Sequence, residues 1–365
     1  GAQAAQSIAT LSDGSFLTSG IYTGSTLIDQ ISPSDYRPIN LFLTKHNAQG
    51  AIEWIQTAGI SSNLTNFPPR RAMVDLETLE DGSAIITGVF DGEARFGDIS
   101  VTCSRESGVF TAKVRPDGSF EWVQSADAIL KEDPRSRPRV IALPDGSTII
   151  HGVCRGVATF GDLEVGSPLT ETSFVSKMRP DGSYEWAKAV CSVDPGDNGY
   201  IYPFPSITSL SDGSILIGGN FSGMLTASGN IISPLGASRY VAKIAQDGAL
   251  QWVKFPDASP FFSSDIAAYD DDSFIIAGSE GNIQKLSPDG EVLWARKLII
   301  SGRLDIRAIT TLSDGSALMT GGLFGTLYNA ESSISSNYYD AVIIKIDPLG
   351  DIVWVQKANQ VNLHY

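Results

Sequence analysis

Six tryptophans occur in this chain, and each stands nine positions after a lysine. The pairs are Lys45/Trp54, Lys113/Trp122, Lys177/Trp186, Lys243/Trp252, Lys285/Trp294 and Lys345/Trp354. Between the partners lies a turn that carries a glycine: Gly50, Gly118, Gly182, Gly248, Gly290 and Gly350. Apolar residues flank the turn on both sides, and glycine supplies the positive φ that a tight hairpin turn needs. The tryptophans lie 68, 64, 66, 42 and 60 residues apart. A long period of this kind marks a repeat architecture, and it constrains the fold more than any single residue does.

Each repeat carries a second hairpin upstream. A short apolar strand such as Ile8–Leu11 runs into an Asp-Gly turn, at Asp13-Gly14, Asp81-Gly82, Asp145-Gly146, Asp212-Gly213 and Asp314-Gly315. The fifth copy reads Asp271-Asp272. The strand that follows is apolar and ends on glycine, at Gly20, Gly88, Gly152, Gly219, Gly278 and Gly321. Copies two and three then add Phe96-Gly97 and Phe160-Gly161, while the fifth shrinks its middle connection to Ser279-Glu280-Gly281. One repeat is therefore four antiparallel strands: hairpin, longer connection, hairpin. A single such sheet leaves both faces bare. Six of them, stacked face to face around an axis, bury their faces and limit exposed edges.

The expectation is an all-β, six-bladed β-propeller with four antiparallel strands per blade. It is one domain over 1–365, with repeats at about 1–60, 70–128, 136–192, 204–258, 263–300 and 304–361. Each blade is expected from continuous sequence. An alternative frame would pair the last hairpin with the first.

Composition narrows the function. A formal net charge of −15, from 26 basic and 41 acidic residues, opposes nucleic-acid binding, which rests on neutralising phosphates. No apolar run approaches the length of a membrane-spanning helix, so no membrane insertion is expected. Three cysteines, Cys103, Cys154 and Cys191, allow one disulfide at most.

The run Asp340–Gly350, with Leu318–Gly321 before it, resembles the bacterial beta-propeller repeat family, often called the seven-bladed propeller repeat. Gly88–Gly97 followed by Val109–Trp122 is similar to the same repeats in long surface proteins. The tryptophan ending looks like the tryptophan-docking repeats of quinoprotein-like propellers, in which the indole packs between blades. The chain departs from the family's name, since it shows six repeats. The resemblance implies a secreted or cell-surface bacterial protein and brings no shared catalytic residues.

Function is expected in the unequal connections, because a ligand site breaks the symmetry that a scaffold keeps. Arg70, Arg71, Arg137, Arg139, Arg303 and Arg307 fall in the connections expected to leave one blade and enter the next, and their forked guanidinium groups suit carboxylate or phosphate. Pairing with nearby acids such as Asp75 and Asp305 is the plainer reading. Tyr200, Tyr202, Phe261, Phe262, Tyr338 and Tyr339 offer aromatic surface for a protein or a glycan. Asp194, Asp197 and Asn198 could supply oxygen ligands to calcium, the one cofactor the sequence leaves open; a plain acidic turn competes. His151, near Cys154, reads as a packed core histidine. The first-strand positions Ser7, Asp75, Arg139, Ser206, Asp265 and Ala308 align, and that mixed set neither builds nor excludes a catalytic ring.

The functional expectation is a non-enzymatic binding or scaffolding propeller, its partner docking on the side that carries the inter-blade and middle connections. The alternatives are a hydrolase or lyase acting on a sugar or lactone at the axial mouth, and a self-associating subunit of a surface assembly or filament.

Overall fold

The computed structural model describes residues 3–22, 39–61, 74–130, 138–194, 196, 199–232, 238–256, 263–278, 280–329 and 333–357. They are all-β, arranged in antiparallel sheets. Six four-stranded meanders are present among them, each from continuous sequence. Sheet one, for example, runs Gln3–Thr10, Phe16–Tyr22, Ile39–His46, Ile52–Ser61. Sheet six runs Ile299–Thr311, Ala317–Tyr328, Ser333–Ile346, Ile352–Lys357. No helix is long and apolar enough to cross a membrane among the described residues.

The nine-residue interval has a direct cause. In all six sheets the lysine and its tryptophan are cross-strand partners, and the register shifts one step later. The lysine head does not simply reach solvent. It turns back to the Asp of its own sheet's first hairpin in Lys113–Asp81, Lys177–Asp145, Lys243–Asp212 and Lys345–Asp314, at 3.8, 3.6, 3.3 and 3.1 Å. That same Asp accepts the backbone N–H and the hydroxyl of the serine two residues on, as in Asp81–Ser83 and Asp314–Ser316. One carboxylate thus fixes a turn and anchors the third strand, a local device available in the Asp-Gly-Ser sequence itself.

By compactness the chain falls into two units. The first comprises 1–203 with 224–233. Its core lies between stacked sheets: Leu17, Leu43, Ile86 and Phe110 between sheets one and two, Ile85, Val140, Ile150 and Phe174 between sheets two and three. Tryptophans lock these stacks. Trp54 donates its indole N–H to the Pro116 carbonyl of the next sheet, and Trp122 to that of Pro180, both at 3.0 Å.

Middle hairpins of this unit reach back and lengthen the preceding sheet. Glu93–Phe96 pairs with the end of Ile52–Ser61, Thr148–Phe160 with the end of Phe120–Leu130, and Leu225–Ala227 with the end of Tyr184–Val193. The last of these explains why 224–233 belong to the first unit although their repeat is the fourth. Phe96 and Phe160, fully buried, root two of these arms against Phe110/Phe120 and Phe174/Tyr184, at ring distances of 4.9 to 5.5 Å.

The second unit comprises 204–223 with 234–365. Leu216, Val241, Ile266 and Ile276 fill the space between sheets four and five, and Ile283, Leu304, Ile306 and Val342 that between five and six. Trp294 donates to the Pro348 carbonyl at 3.1 Å. Repeat five has no middle hairpin: Phe274–Gly278 is followed almost directly by Asn282–Leu286. Outermost strands are correspondingly short here, at five, six and six residues in sheets four to six, against ten, eleven and ten in sheets one to three.

Candidate functional site

The inner-strand carboxylates come first, because a catalytic reading would need them free. Asp75 accepts the backbone N–H of Val140 on the next sheet at 3.0 Å, the Ser7 hydroxyl at 3.2 Å, and an ion pair from Arg139 at 3.1 Å. Asp265 does the same for Ile309 N–H at 3.1 Å. The two carboxylates occupy equivalent repeat positions and act as latches between successive first strands. Glu77, two residues along from Asp75, is pushed up to about 7 by burial and then by the Asp75 charge. These groups hold sheets together, which is the structural role that repetition favours.

The other expected residues are distributed as follows. Arg139 lies in the strand Arg139–Ala142 and is spent on Asp75. Tyr200 and Tyr202 lie in the strand Tyr200–Ser209 with rings edge to face at 4.9 Å. His151 is fully buried and bonded to Ser173 Oγ at 3.1 Å. Asp194 accepts the Gly196 N–H at 2.8 Å, a turn contact. Arg70, Arg71, Arg137, Phe261, Phe262, Asp197 and Asn198 lie outside the described residues. Cys103, Cys154 and Cys191 are free thiols.

Sheet six brings the remaining candidates together. Arg303 and Arg307, expected in a connection, sit in the strand Ile299–Thr311; Tyr338 and Tyr339 sit in the strand Ser333–Ile346. Arg303 donates from Nε to Asp305 Oδ1 and pairs through Nη2 with Oδ2, both at 3.0 Å. Its guanidinium lies 5.9 Å from the Tyr339 ring centroid. The Tyr339 hydroxyl donates to Asp305, completing a triangle of ring, guanidinium and carboxylate. Partial burial, then this bond, raises the Tyr339 phenol to about 12, so the ring stays neutral. Gly322 makes room for the ring, which would stand 2.5 Å from a Cβ placed there. Phe324 is the cross-strand partner of Arg303 and is 49% exposed.

The face continues beyond this triangle. Register places Ile299 opposite Tyr328, and Thr320 opposite Ile343. The position two before the lysine measures how unusual this is. Leu43, Thr111, Val175, Val241 and Ile283 are at most 1% exposed there, whereas Ile343 is 42% exposed. Leu304, Ile306, Leu323 and Val342 point the other way, into the core shared with sheet five. Sheet six therefore presents an outward face on which aromatic, aliphatic and guanidinium groups are exposed and pre-positioned. Sequence reasoning found Arg303, Tyr338 and Tyr339. It missed Phe324 and Tyr328; the signal for Phe324 was its place three after Gly321, where Asp91, Arg155 and Ser222 follow Gly88, Gly152 and Gly219.

No protein-family model matches the chain, and no curated protein does. Among solved structures, propellers are found. The Dos1 propeller covers 99% of this chain over 73% of its own, with 9% identity and a TM-score of 0.47. A protein of unknown function from Bacteroides caccae covers 87% over 90%, with 13% identity and a TM-score of 0.46. BamB from Moraxella catarrhalis covers 86% over 82%, with 9% identity and a TM-score of 0.44. Likeness of this grade bears on neither activity nor partner.

Proposed function

We propose that this chain is a six-bladed propeller that binds a protein partner without catalysing a reaction, as part of a secreted or cell-surface bacterial protein. The observation that carries the reading is the outward face of sheet six. It offers Phe324, Tyr328, Tyr338 and Tyr339, 44 to 69% exposed, around an arginine held flat by Asp305. Exposed aromatics with an ordered arginine are the composition of protein-binding hot spots. The compartment is supported by the repeat resemblance and by the acidic, lysine-poor composition. Scaffold use of the inner carboxylates supports the non-enzymatic side of the reading.

The test is affinity capture with wild-type chain and with Arg303→Ala and Phe324→Ala, set against Tyr202→Ala as a control off this face. A partner kept by wild type and the control, but released by both face variants, is the expected result. A partner kept equally by all four, capture of glycans alone on an array, or turnover of a lactone or glycoside panel by wild type would each overturn the proposal.

A further inference from the structure

Sheet six outgrows its blade. Its first strand, Ile299–Thr311, has 13 residues, against 4 to 10 for the first strands of the other sheets among the described residues. The excess is an arm. Ile299–Gly302 pairs with Gly325–Tyr328, which pairs with Ser333–Ser336, while the fourth strand reaches only Val342–Ile346. The arm projects past Ile309, where the Asp265 carboxylate of sheet five latches the first strand. Its inner side is packed: Ile300, Leu327 and Ile334 belong to the core shared with sheet five. Its outer side bears Ile299, 70% exposed, together with Tyr328 and Phe324.

One edge of the arm is closed. Lys357 donates to the Ser335 carbonyl and pairs with Asp340, both at 3.2 Å. The other edge is open. Leu304 turns its carbonyl away from the second strand, to the Glu280 N–H at 2.8 Å. Pairing runs without a shift from Ile299 to Ile306, so Gly302 and Ile300 turn their N–H and C=O groups to that same side. No backbone partner meets them there among the described residues. Proteins usually blunt such an edge with lysine, proline or a bulge. The run Ile299-Ile300-Ser301-Gly302 carries none of these.

We infer that this edge receives an extended segment of the partner protein, which adds a strand to sheet six along Ile299–Gly302. The inference rests on the reading of the sheet-six face as a protein-docking surface and names the form of the ligand. The edge itself specifies that form: alternating donors and acceptors on Ile300 and Gly302 match an extended peptide backbone. Side chains specify the rest. A segment seated there lays alternate residues beside Ile299 and Arg303, which share the outward side. An apolar side chain fits the first. A hydrogen-bond acceptor fits the second, whose Nη1 is unclaimed among the described residues. Strand addition is already how this fold joins segments, since the outer strands of sheets one and three each gain a hairpin from the repeat that follows. A second copy of the chain is the poorer occupant, because two chains of charge −15 repel each other.

The experiment pans a displayed library of random decapeptides against the full chain and follows amide hydrogen exchange with the selected peptides. In the free chain the Ile300 and Gly302 amides are expected to exchange fast, and those of Ser301 and Arg303, turned to the second strand, slowly. Selected peptides are expected to alternate apolar residues and to slow the Ile300 and Gly302 amides about tenfold or more. They are expected to bind Ile299→Lys about tenfold more weakly, since a lysine blunts the edge. Ile299 is exposed, so this substitution leaves the core untouched. Ile300→Pro, which removes one outward N–H, is the second variant, with circular dichroism checking its fold. Ile300 and Gly302 amides already slow in the free chain, selected peptides that leave them fast, or no peptide enriched over a panning without the chain would each overturn the inference. If Arg303→Ala and Phe324→Ala still release a captured protein in any of these cases, the docking face stands and only strand addition falls. If they do not, both fall.

Discussion

Ser211 donates two hydrogen bonds to the Asp272 carboxylate, from its backbone nitrogen at 2.7 Å and its hydroxyl at 2.6 Å. Asp272 occupies the turn position that is glycine in the other five repeats, and it adopts φ +60. An aspartate tolerates that region better than most residues but at some cost. The departure from Asp-Gly therefore exchanges backbone ease for a clasp between sheets four and five. Asp272→Ala keeps the strain and loses the clasp, so a loss of about 1–2 kcal/mol is expected. Asp272→Gly relieves the strain and should lose less. Chemical denaturation of the two variants checks the order.

Asp75 joins three groups from two neighbouring sheets: the Ser7 hydroxyl, the Val140 N–H and the Arg139 guanidinium. Asp75→Ala would leave the Val140 N–H and the Arg139 guanidinium without their partner, at a cost of about 3 kcal/mol. Asp75→Asn can still accept the Val140 bond and should recover part of it. Thermal unfolding of the three proteins distinguishes a latch from a dispensable surface acid.

Stability should also depend on pH through Glu77. Its folded value, about 7, lies above its ordinary 4.5, so the folded chain binds the proton more tightly than the unfolded chain. The stabilising contribution is complete below pH 4.5 and is lost as pH rises to about 7, by at most about 3 kcal/mol. Glu77→Gln should flatten this slope and exceed wild type in stability at pH 8. Denaturation midpoints measured from pH 4 to 8 decide it.

Gly182 turns with φ +86, and the Trp122 ring lies where its Cβ would be. Gly182→Ala strains the backbone and displaces the indole, and should cost about 2 kcal/mol or more. Gly50, with similar φ but no ring upon it, isolates the backbone part: Gly50→Ala should cost about 1 kcal/mol. A red shift of tryptophan fluorescence is expected for the first substitution and not for the second.

Strand order within each sheet was legible because the turns are spelled out in Asp-Gly and in the lysine-to-tryptophan interval. Those signals are local: φ at one residue, register at one pair. The reach of the middle hairpins was not legible. Phe96-Gly97 marks a turn, but nothing in the sequence says that Glu93–Phe96 pairs with the sheet before its own. The candidate face was half legible for a related reason. Arg303, Tyr338 and Tyr339 stood out as exceptions to the repeat, yet they were read as loop residues. A strand lengthened by irregular pairing, as at Leu323/Gly325, has no clean alternation to announce it.

The hairpin Leu225–Ile231 belongs to the fourth repeat by sequence and to the third sheet by pairing. This offset sets the boundaries at which the protein can be taken apart. A cut between tryptophan strands severs a module, because each of the first three sheets is completed by chain that has not yet been reached. Duplication, deletion or grafting of any of these three sheets would have to carry the following repeat as far as its middle hairpin. During synthesis the same offset delays each of the first three sheets: the third cannot be finished until residues near 230 have emerged, so each of these sheets waits for part of the repeat that follows it.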